Sequence, residues 1–343
     1  MFKNFLLGLL AILLIFGGSN MANAKTWDKT FQKSDKVNVQ RVEFKNRFGS
    51  TLVGDLYSPK GVNVNEKLAA IAISGPFGAV KEQSSGLYAQ TLAERGFVTL
   101  AFDPSYTGES SGISRNVASP DINTEDFSAA VDFLSNNKNV NPDRIGILGI
   151  CGFGGFAINA AAMDTRIKAT TAITMYDMTR VSAKGYNDSV DENARYEMKQ
   201  NLNKQRTEDY KKGTYAKADV LPEKLTGNEP QFVKDYWDYY KTKRGFHKRS
   251  INSNGNWNTT SSLSLINQPI LQYSSEIRTP VLVVHGENAH SRYFGEDAFK
   301  KLKGNNKELL IVKGANHVDL YDGGDKNAIP FDKIESFYKE NLK

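Results

Sequence analysis

Cysteine and histidine are scarce in this chain of 343 residues, which contains one cysteine and four histidines. A single cysteine excludes an intramolecular disulfide, and an unpaired thiol is a liability in an oxidising compartment unless it has a use. The shortage of histidine leaves few candidates for a general base. Cys151 and the four histidines are therefore the first residues to consider for chemistry.

Neither sign of charge dominates the chain, which has 44 lysines and arginines against 38 acids and a formal net charge of +6. The charges are mixed along the sequence, with no basic stripe and no arginine-rich tract. This pattern gives no support to nucleic-acid binding and points to small-molecule partners instead. We find no internal repeat.

The N-terminus has the pattern of a secretory signal peptide. Lys3 precedes an unbroken apolar or glycine run over residues 5–16, and Ala22-Asn23-Ala24 fits the A-x-A cleavage rule. The run is too short to span a bilayer comfortably. We therefore predict cleavage after Ala24 and export, to the periplasm or as a secreted protein, without a stable membrane anchor after processing. A retained anchor is the alternative.

Removal of residues 1–24, which include one lysine and no acid, leaves 319 residues and lowers the formal charge to +5. This length suits one large α/β domain, residues 25–343, with an insertion. Apolar runs alternate with helical patterns, which predicts a mostly parallel sheet with helices on both faces. The predicted strands cover residues 37–44, 52–57, 68–74, 97–102, 145–150, 169–174, 280–285 and 309–312.

The alternation stops between Thr174 and Pro280, and about a hundred residues are too many for a plain crossover. We predict an inserted helical cap at about residues 176–275. Aromatic side chains recur in it at helical spacing, which indicates packing of the cap against its core. Contact with substrate is the alternative, with Trp237 as the candidate pocket residue. The stripe consists of Phe232, Val233, Tyr236, Trp237 and Tyr240.

Cys151 follows an apolar run of strand length, residues 145–150, and precedes a helical pattern rich in alanine, residues 156–163. Glycines crowd the turn between them. A strand, a tight glycine turn and a helix are what a nucleophile elbow requires. A thiol at the N-terminus of that helix meets partial positive charge, which favours the thiolate. The alternative is a buried core cysteine at the end of a strand.

His317 is the leading candidate for the base, because it follows the last predicted strand and the expected chain order is nucleophile, acid, base. His285 ends a buried strand, a position that is more often structural. His247 lies in the inserted region. His290 lies in the loop after a strand and could face the pocket.

Backbone N–H groups are the candidates for an oxyanion hole. One donor is expected from Gly152, directly after the cysteine, and the other from the loop after residue 74. Phe77 is the preferred donor there because Pro76 has no N–H. Glu82, further along, could approach the cysteine from the pocket side, although the simpler interpretation is that it begins a helix.

Four segments together resemble the dienelactone-hydrolase-like α/β-hydrolases, and in particular a bacterial subgroup related to fungal polyketide transferases. The resemblance runs from about residue 37 to the C-terminus. It implies the α/β-hydrolase fold and a Cys–His–acid hydrolase or acyltransferase that uses neither metal nor cofactor. The segments are residues 74–83 (SGPFGAVKEQ), residues 102–110 (FDPSYTGES), the cysteine elbow and residues 285–293 (HGENAHSRY).

Two positions depart from the pattern of that family. The usual elbow has glycine two residues after the nucleophile, where this chain has Phe153. The acid usually lies three residues after the glycine of the His-Gly turn, where this chain has Ala289. Glu287 is the nearest carboxylate, and we expect it to orient His317. Asp319, on the same loop as the histidine, is expected to point away.

These features predict an exported hydrolase or acyltransferase that attacks ester, lactone or thioester carbonyls with Cys151 and forms an acyl-enzyme. A peptidase of the same fold is a less favoured enzyme. A catalytically silent binding protein is the alternative of a different class, since Ala289 and Phe153 both depart from the active pattern. A thiol redox cycle is disfavoured because no second cysteine could resolve it.

Overall fold

The computed structural model describes residues 27–63 and 66–343. The predicted signal peptide, residues 1–24, lies outside the described residues. Within them, no helix has both the length and the apolar character needed to cross a membrane.

The described residues contain ten strands, which form two sheets. The main sheet has eight strands in the order β1-β2-β4-β3-β5-β6-β9-β10, and β7 pairs with β8 in a small second sheet. The strands are β1 (Val37–Lys45), β2 (Thr51–Pro59), β3 (Leu68–Ser74), β4 (Val98–Phe102), β5 (Val140–Ile150), β6 (Ala169–Ile173), β7 (Lys217–Asp219), β8 (Asn256–Asn258), β9 (Val281–Gly286) and β10 (Lys307–Val312).

Eleven α-helices connect or cover these strands in the described residues. They are α1 (Ser84–Glu94), α2 (Pro120–Ser135), α3 (Gly152–Met163), α4 (Met178–Lys184), α5 (Glu192–Lys212), α6 (Gln231–Lys241), α7 (Ile251–Asn254), α8 (Ser262–Asn267), α9 (Arg292–Lys301), α10 (Asp319–Asp322) and α11 (Phe331–Asn341). Short 3₁₀ turns lie at Tyr186–Asp188, Thr259–Ser261, Ser274–Glu276 and Gly324–Lys326.

The sheet is mostly parallel, as the sequence predicts. Neighbouring strands from β4 to β10 in the sheet order run parallel, and only the pairings β1–β2 and β2–β4 are antiparallel. The elbow strand β5 pairs with β3 and β6 near the middle of the sheet. It begins at Val140, before the apolar run that marks it in the sequence.

Helices cover both faces of the sheet because its strands are apolar on both sides. On β3, Ala70 and Ala72 pack into the core that includes Phe127 of α2, whereas Ile71 and Ile73 pack on the opposite face. That second core includes side chains of α1 and α11. The predicted α/β-hydrolase fold, with helices on both faces of a mostly parallel sheet, is confirmed.

The chain between β6 and β9 leaves the sheet and forms α4 to α8 together with β7 and β8. Ion pairs tie this inserted segment to the main domain. Arg244 pairs with Asp322 at 2.7 Å, and Arg249 pairs with the buried Glu82 at 2.5 Å. The insertion is therefore fastened to loops at the end of the sheet where the elbow lies.

Candidate active site

Cys151 lies at the turn between β5 and α3 with a φ of 56°. A left-handed backbone is strained for any residue except glycine, and such strain is typical of the nucleophile turn in this strand–turn–helix arrangement. Three backbone hydrogen bonds of 2.9 Å hold the turn: the Cys151 N–H donates to Ile173, and the N–H groups of Gly154 and Tyr176 donate to the Cys151 carbonyl.

Close backbone contacts explain the glycines of the elbow. A Cβ at Gly149 would lie 2.0 Å from the carbonyl oxygen of Phe153, and a Cβ at Gly154 would lie 2.6 Å from the Cβ of Met175. Phe153, which replaces the usual glycine, is buried, and its ring packs 5.2 Å from that of Phe156. The larger residue is tolerated because its side chain points into the core and away from the tight turn.

Burial governs the acidity of the Cys151 thiol, which is 7% exposed. Loss of hydration raises its pKa, while hydrogen bonds from the Tyr321 hydroxyl and from the backbone N–H groups of Phe77 and Gly152 oppose the rise. The expected stabilisation of the thiolate by the helix N-terminus is thus outweighed. The thiol of Cys151 is therefore protonated at neutral pH.

The N–H groups of the two predicted oxyanion donors, Phe77 and Gly152, lie near enough to this sulfur to favour its thiolate. A Cβ on Gly152 would lie 2.8 Å from the Cβ of Phe77, so only glycine allows the two segments to approach so closely. The inserted segment holds the Phe77 loop in place. Asn252 donates its side-chain amide to the Phe77 carbonyl at 2.8 Å, and the Ser250 hydroxyl donates to the Gly78 carbonyl at 2.9 Å.

His317 is buried beside the elbow, and hydroxyl groups surround its ring. Its Nδ1 lies 2.6 Å from the Ser291 hydroxyl and 2.9 Å from the Thr174 hydroxyl. Its Nε2 lies 2.9 Å from the hydroxyl of Tyr321. Burial lowers the pKa of His317 well below its usual value, so the imidazole is neutral.

The structure does not bring Glu287 to His317, contrary to the prediction. Glu287 is exposed, and its carboxylate accepts a hydrogen bond from the Gly314 N–H at 2.9 Å. Asp319 also points away, as expected, and accepts from the Asn316 N–H. Among the described residues, no carboxylate hydrogen-bonds His317. The hydroxyls of Ser291 and Thr174 occupy the place of the acid.

The other three histidines are not placed to act as the base. His290 lies behind the pocket wall, where its ring stacks on Phe232 at 4.7 Å and its Nε2 meets the Tyr176 hydroxyl. Burial lowers its pKa to about 4. His285 is fully buried under α9, and His247 accepts a backbone hydrogen bond within its own loop.

A pocket of about 460 Å³ opens above Cys151, between the elbow and the inserted segment. Cys151 and Tyr321 line it together with aromatic and aliphatic side chains. These include Phe77, Met178, Phe232, Tyr236, Tyr240 and Trp257.

None of the three predicted pocket residues lines the pocket, since His290 lies behind its wall and the other two lie elsewhere. Trp237 does not line the pocket, since the face of α6 that carries Phe232 and Tyr236 is turned toward it instead. Glu82 is buried away from the cysteine, where it pairs with Lys81 at 2.7 Å as well as with Arg249. The strong local ion pairs fix Glu82 below the loop and keep it out of the pocket.

Several residues of the site were missed by the sequence analysis. Tyr321 follows His317 by four residues, a helical spacing that brings the two side chains together but that many residue pairs share. Ser291 lies two residues after Ala289, near the usual acid position. Trp257 lies in a polar stretch of the sequence, and no pattern there marked it as a pocket residue. In the described parts of the chain, no group of three or more His, Cys, Asp or Glu side chains could hold a metal ion.

Comparisons with known proteins show the family and the fold of this chain. The sequence profile of the X-Pro dipeptidyl-peptidase (S15) family matches residues 49–319. The chain is 58% identical to uncharacterized protein PA2218 of Pseudomonas aeruginosa over 95% of this chain and 87% of that protein. The crystal structure of PA2218 matches with a TM-score of 0.89 over 93% of this chain and 98% of that one.

More distant relatives include proteins named for acyl chemistry. Polyketide transferase claH of Penicillium crustosum is 32% identical over 40% of this chain and 44% of its own, and thiohydrolase aneE of Aspergillus aculeatus is 31% identical over 41% and 42%. The α/β-hydrolase GrgF from Penicillium sp. sh18 has a TM-score of 0.73 at 22% identity, covering 89% of this chain and 99% of that one, which shows the shared fold. The chain therefore belongs to the X-Pro dipeptidyl-peptidase (S15) family and has the α/β-hydrolase fold.

Proposed function

We propose that this protein is a cysteine-dependent hydrolase or acyltransferase that acts on ester, lactone or thioester bonds through an acyl-enzyme. One observation carries the proposal: Cys151 occupies the strained elbow, where Gly152 and the Phe77 loop approach each other closely and their N–H groups favour the thiolate. The oxyanion forms two bonds away from the sulfur when the sulfur adds to a carbonyl, so N–H groups beside the sulfur are near enough to receive it.

The chemistry follows from these positions. The sulfur of Cys151 adds to the acyl carbonyl, its proton passes to Nε2 of His317, and the two N–H groups hold the oxyanion. Collapse of the intermediate expels the alcohol or thiol and leaves a thioester on Cys151. Water, or an acceptor alcohol or amine, then releases the acyl group. This chemistry groups the chain with the dienelactone-hydrolase-like enzymes that its sequence resembles.

The pocket supports an apolar acyl group as the substrate. Its walls are mainly aromatic and aliphatic, and the stacked rings of Phe77 and Trp257, 4.3 Å apart, stand beside the elbow. Apolar ligands gain most of their affinity from such walls. The names of the fungal relatives, polyketide transferase and thiohydrolase, agree with acyl transfer from a thioester.

An X-Pro dipeptidyl-peptidase activity is the second candidate, since the family carries that name. Such a substrate brings a free N-terminal ammonium close to the cleaved bond, and an ammonium needs an anionic partner when it is taken from water. Among the described residues that line the pocket, Asp219 alone carries a charge, and it is exposed. A thiol and a neutral imidazole without a carboxylate also suit activated acyl groups better than amides.

A panel of substrates separates these functions. Acyl p-nitrophenyl esters, acyl thioesters of N-acetylcysteamine, lactones and Ala-Pro-p-nitroanilide are assayed with the wild type and Cys151→Ala, with intact-mass detection of the acyl-enzyme. We expect ester and thioester turnover, with an acyl adduct on Cys151 that the variant lacks. Turnover of the anilide alone would favour the peptidase. Saturable binding of the substrates without any turnover would indicate the silent binding protein.

We also propose that the protein is exported, with Lys25 as the mature N-terminus. The support is the order of Lys3, the apolar run and the Ala22-Asn23-Ala24 site in the sequence. N-terminal sequencing of protein from the periplasm and the medium tests this. Recovery of an intact Met1, or of cytoplasmic protein only, would contradict export.

A further inference from the structure

We propose that the hydroxyl of Tyr321 carries the proton between Cys151 and His317, so that the site works as a Cys–Tyr–His relay. This inference rests on the proposed function of Cys151 as the nucleophile and adds a third catalytic residue to it. Tyr321 hydrogen-bonds His317 and lines the same pocket as Cys151, which distinguishes it from a residue that merely supports the histidine.

A hydroxyl group, and not the thiol, is hydrogen-bonded to the accepting nitrogen of His317. The Nε2 atom of His317, which would accept the thiol proton, is 2.9 Å from the Tyr321 hydroxyl. Among the described residues, no hydrogen bond joins His317 to Cys151. Tyr321 and Cys151 line the same pocket, and the Tyr321 hydroxyl is one of the groups that oppose the rise in the pKa of the Cys151 thiol. The phenol is thus next to the accepting nitrogen and near enough to the thiol to affect its ionisation.

The hydrogen bonds can all run in one direction. With a proton on Nδ1, His317 donates to the hydroxyl of Ser291 or Thr174, and Nε2 is free to accept from Tyr321. The oxygen of Tyr321 can then accept from the thiol, because a hydroxyl donates and accepts at the same time. The resting chain therefore runs from the thiol through the phenol to Nε2.

One net proton moves during acylation. As the carbon–sulfur bond forms, the thiol proton passes to the Tyr321 oxygen while the phenol proton passes to Nε2, so that the phenol ends as it began. When the intermediate collapses, the bond to the leaving group breaks and the proton returns from Nε2 through Tyr321 to that group. No oxidant, metal or second substrate is needed.

The surroundings keep both relay partners in the required form. Burial raises the pKa of Tyr321 well above its usual value, so the phenol stays protonated, and burial lowers that of His317, so Nε2 stays free. Tyr321 is also fixed in orientation, since its buried ring packs 5.1 Å from that of Tyr239. A phenol that cannot ionise or rotate transfers protons only in a concerted exchange.

The test measures the acylation burst with a p-nitrophenyl ester in mixtures of H₂O and D₂O. For the wild type we expect a curved dependence on the deuterium fraction, because two protons move together. In Tyr321→Phe the burst should slow at least about 100-fold, the usual range for a lost proton-transfer group, with a linear dependence. The matched control is Tyr239→Phe, which removes a neighbouring buried phenol that does not line the pocket and should keep rate and curvature.

Three results would overturn the relay: a burst in Tyr321→Phe that is as fast as or faster than that of the wild type, a slower burst that keeps the wild-type curvature, or a linear dependence in the wild type itself. The last result needs no variant, so it decides the matter even if Tyr321→Phe does not fold. Cys151→Ala separates this failure from failure of the proposed function. A burst that survives in Cys151→Ala would show that Cys151 is not the nucleophile, so the proposed function itself would fail. If the burst is lost in Cys151→Ala, the proposed function stands, and any of the three results above then counts against the relay alone.

Discussion

Hydroxyl groups hold both nitrogens of His317, where a carboxylate would hold Nδ1 in the usual triad. A hydroxyl fixes the ring and its tautomer but adds no negative charge to stabilise an imidazolium. Thr174, one of these hydroxyls, has a φ of 41° although it is β-branched. Such a backbone costs about 1–3 kcal/mol and is retained mainly at functional sites. The strained residue Thr174 is thus one of the two that hold Nδ1 of His317 in place.

Removal of the Ser291 hydroxyl should weaken the base, whereas removal of the Glu287 charge should not. Ser291 makes the shorter bond to Nδ1, and loss of one neutral hydrogen bond is worth about 1 kcal/mol. We expect Ser291→Ala to lower kcat for a thioester roughly five- to tenfold, since Thr174 remains. Glu287→Gln is the control. A large loss in Glu287→Gln with normal turnover in Ser291→Ala would return the acid role to Glu287.

Acyl-chain selectivity should depend on Trp257 and not on Trp237. Trp257 lines the pocket and stacks on Phe77, so Trp257→Ala enlarges the space beside the elbow. We expect the preferred acyl chain of p-nitrophenyl esters to lengthen in Trp257→Ala. Trp237→Ala, an equal loss of volume outside the pocket, should lower the melting temperature while the chain-length profile stays that of the wild type. A shifted profile in Trp237→Ala alone would reverse the assignment.

The short helix α7 connects the inserted segment to the loop that contains Phe77 and Gly78. Ser250, before the helix, and Asn252, within it, hydrogen-bond the carbonyls of Gly78 and Phe77. Gly78 has a φ of 87°, and a Cβ there would lie 2.4 Å from the Asn252 side chain, so the loop and the helix fit closely. The insertion therefore shapes the loop that contains Phe77 and Gly78 as well as covering the pocket.

Loss of the Asn252 side chain should misplace the Phe77 N–H and lower kcat more than it raises KM. One oxyanion donor is worth roughly 10²–10³ in rate, and a displaced donor loses part of that. We expect Asn252→Ala to reduce kcat roughly tenfold or more. Asn254→Ala, an exposed asparagine of the same helix, is the matched control and should behave as the wild type. An effect on KM alone would show that Asn252 acts only as pocket wall.

Across the whole molecule, buried ion pairs join segments that are distant in sequence. Lys81, which is 1% exposed, contacts Asp103 at 3.1 Å and Glu109 and Glu82 more closely. Arg249 of the inserted segment completes the network through Glu82. Removing one partner of such a network leaves an uncompensated charge, which is strongly destabilising. The network fastens the insertion and the loops after β3 and β4 into one unit.

Acidification should destabilise the protein before its carboxylates titrate. His285, His290 and His317 have lowered pKa values in the folded state, about 3 and about 4 for the first two, against about 6.5 in the unfolded chain. Below pH 6.5 the unfolded state therefore binds more protons than the folded state, so the free energy of unfolding decreases as the pH is lowered. Burial raises the pKa of Asp126 to about 6, so the folded state binds one proton there more readily than the unfolded chain. This uptake offsets part of the loss of stability at acidic pH.

The expected net loss in the free energy of unfolding is about 3 kcal/mol between pH 7 and pH 5.5. Urea unfolding at the two pH values and constant ionic strength measures it. His290→Gln removes one of the titrating groups, so the loss should shrink by about 1 kcal/mol in that variant. Equal stability at both pH values in the wild type would mean that the buried imidazoles take up protons as readily in the folded state as in the unfolded chain.

The features that sequence predicts well are those with a local cause. Apolar runs bounded by turns mark β3, β5 and β9, and glycines around Cys151 mark the elbow, because backbone geometry there depends on adjacent residues. His317 and the Phe77 loop follow from their position after particular strands. The parallel sheet brings the ends of those strands together, so chain order alone predicts that these groups meet.

The partners of each side chain were decided only by the tertiary structure. Ser291 and Thr174 reach His317 from two distant segments, and Tyr321 reaches it from four residues along the same segment, a spacing too common to mark it. Glu287 is turned away by the Gly314 N–H, a contact between two loops. Trp237 and Trp257 differ in which surface their segments present to the pocket. Local periodicity and turn chemistry determine the backbone, but hydrogen bonds between side chains depend on how distant segments pack, which no local pattern contains.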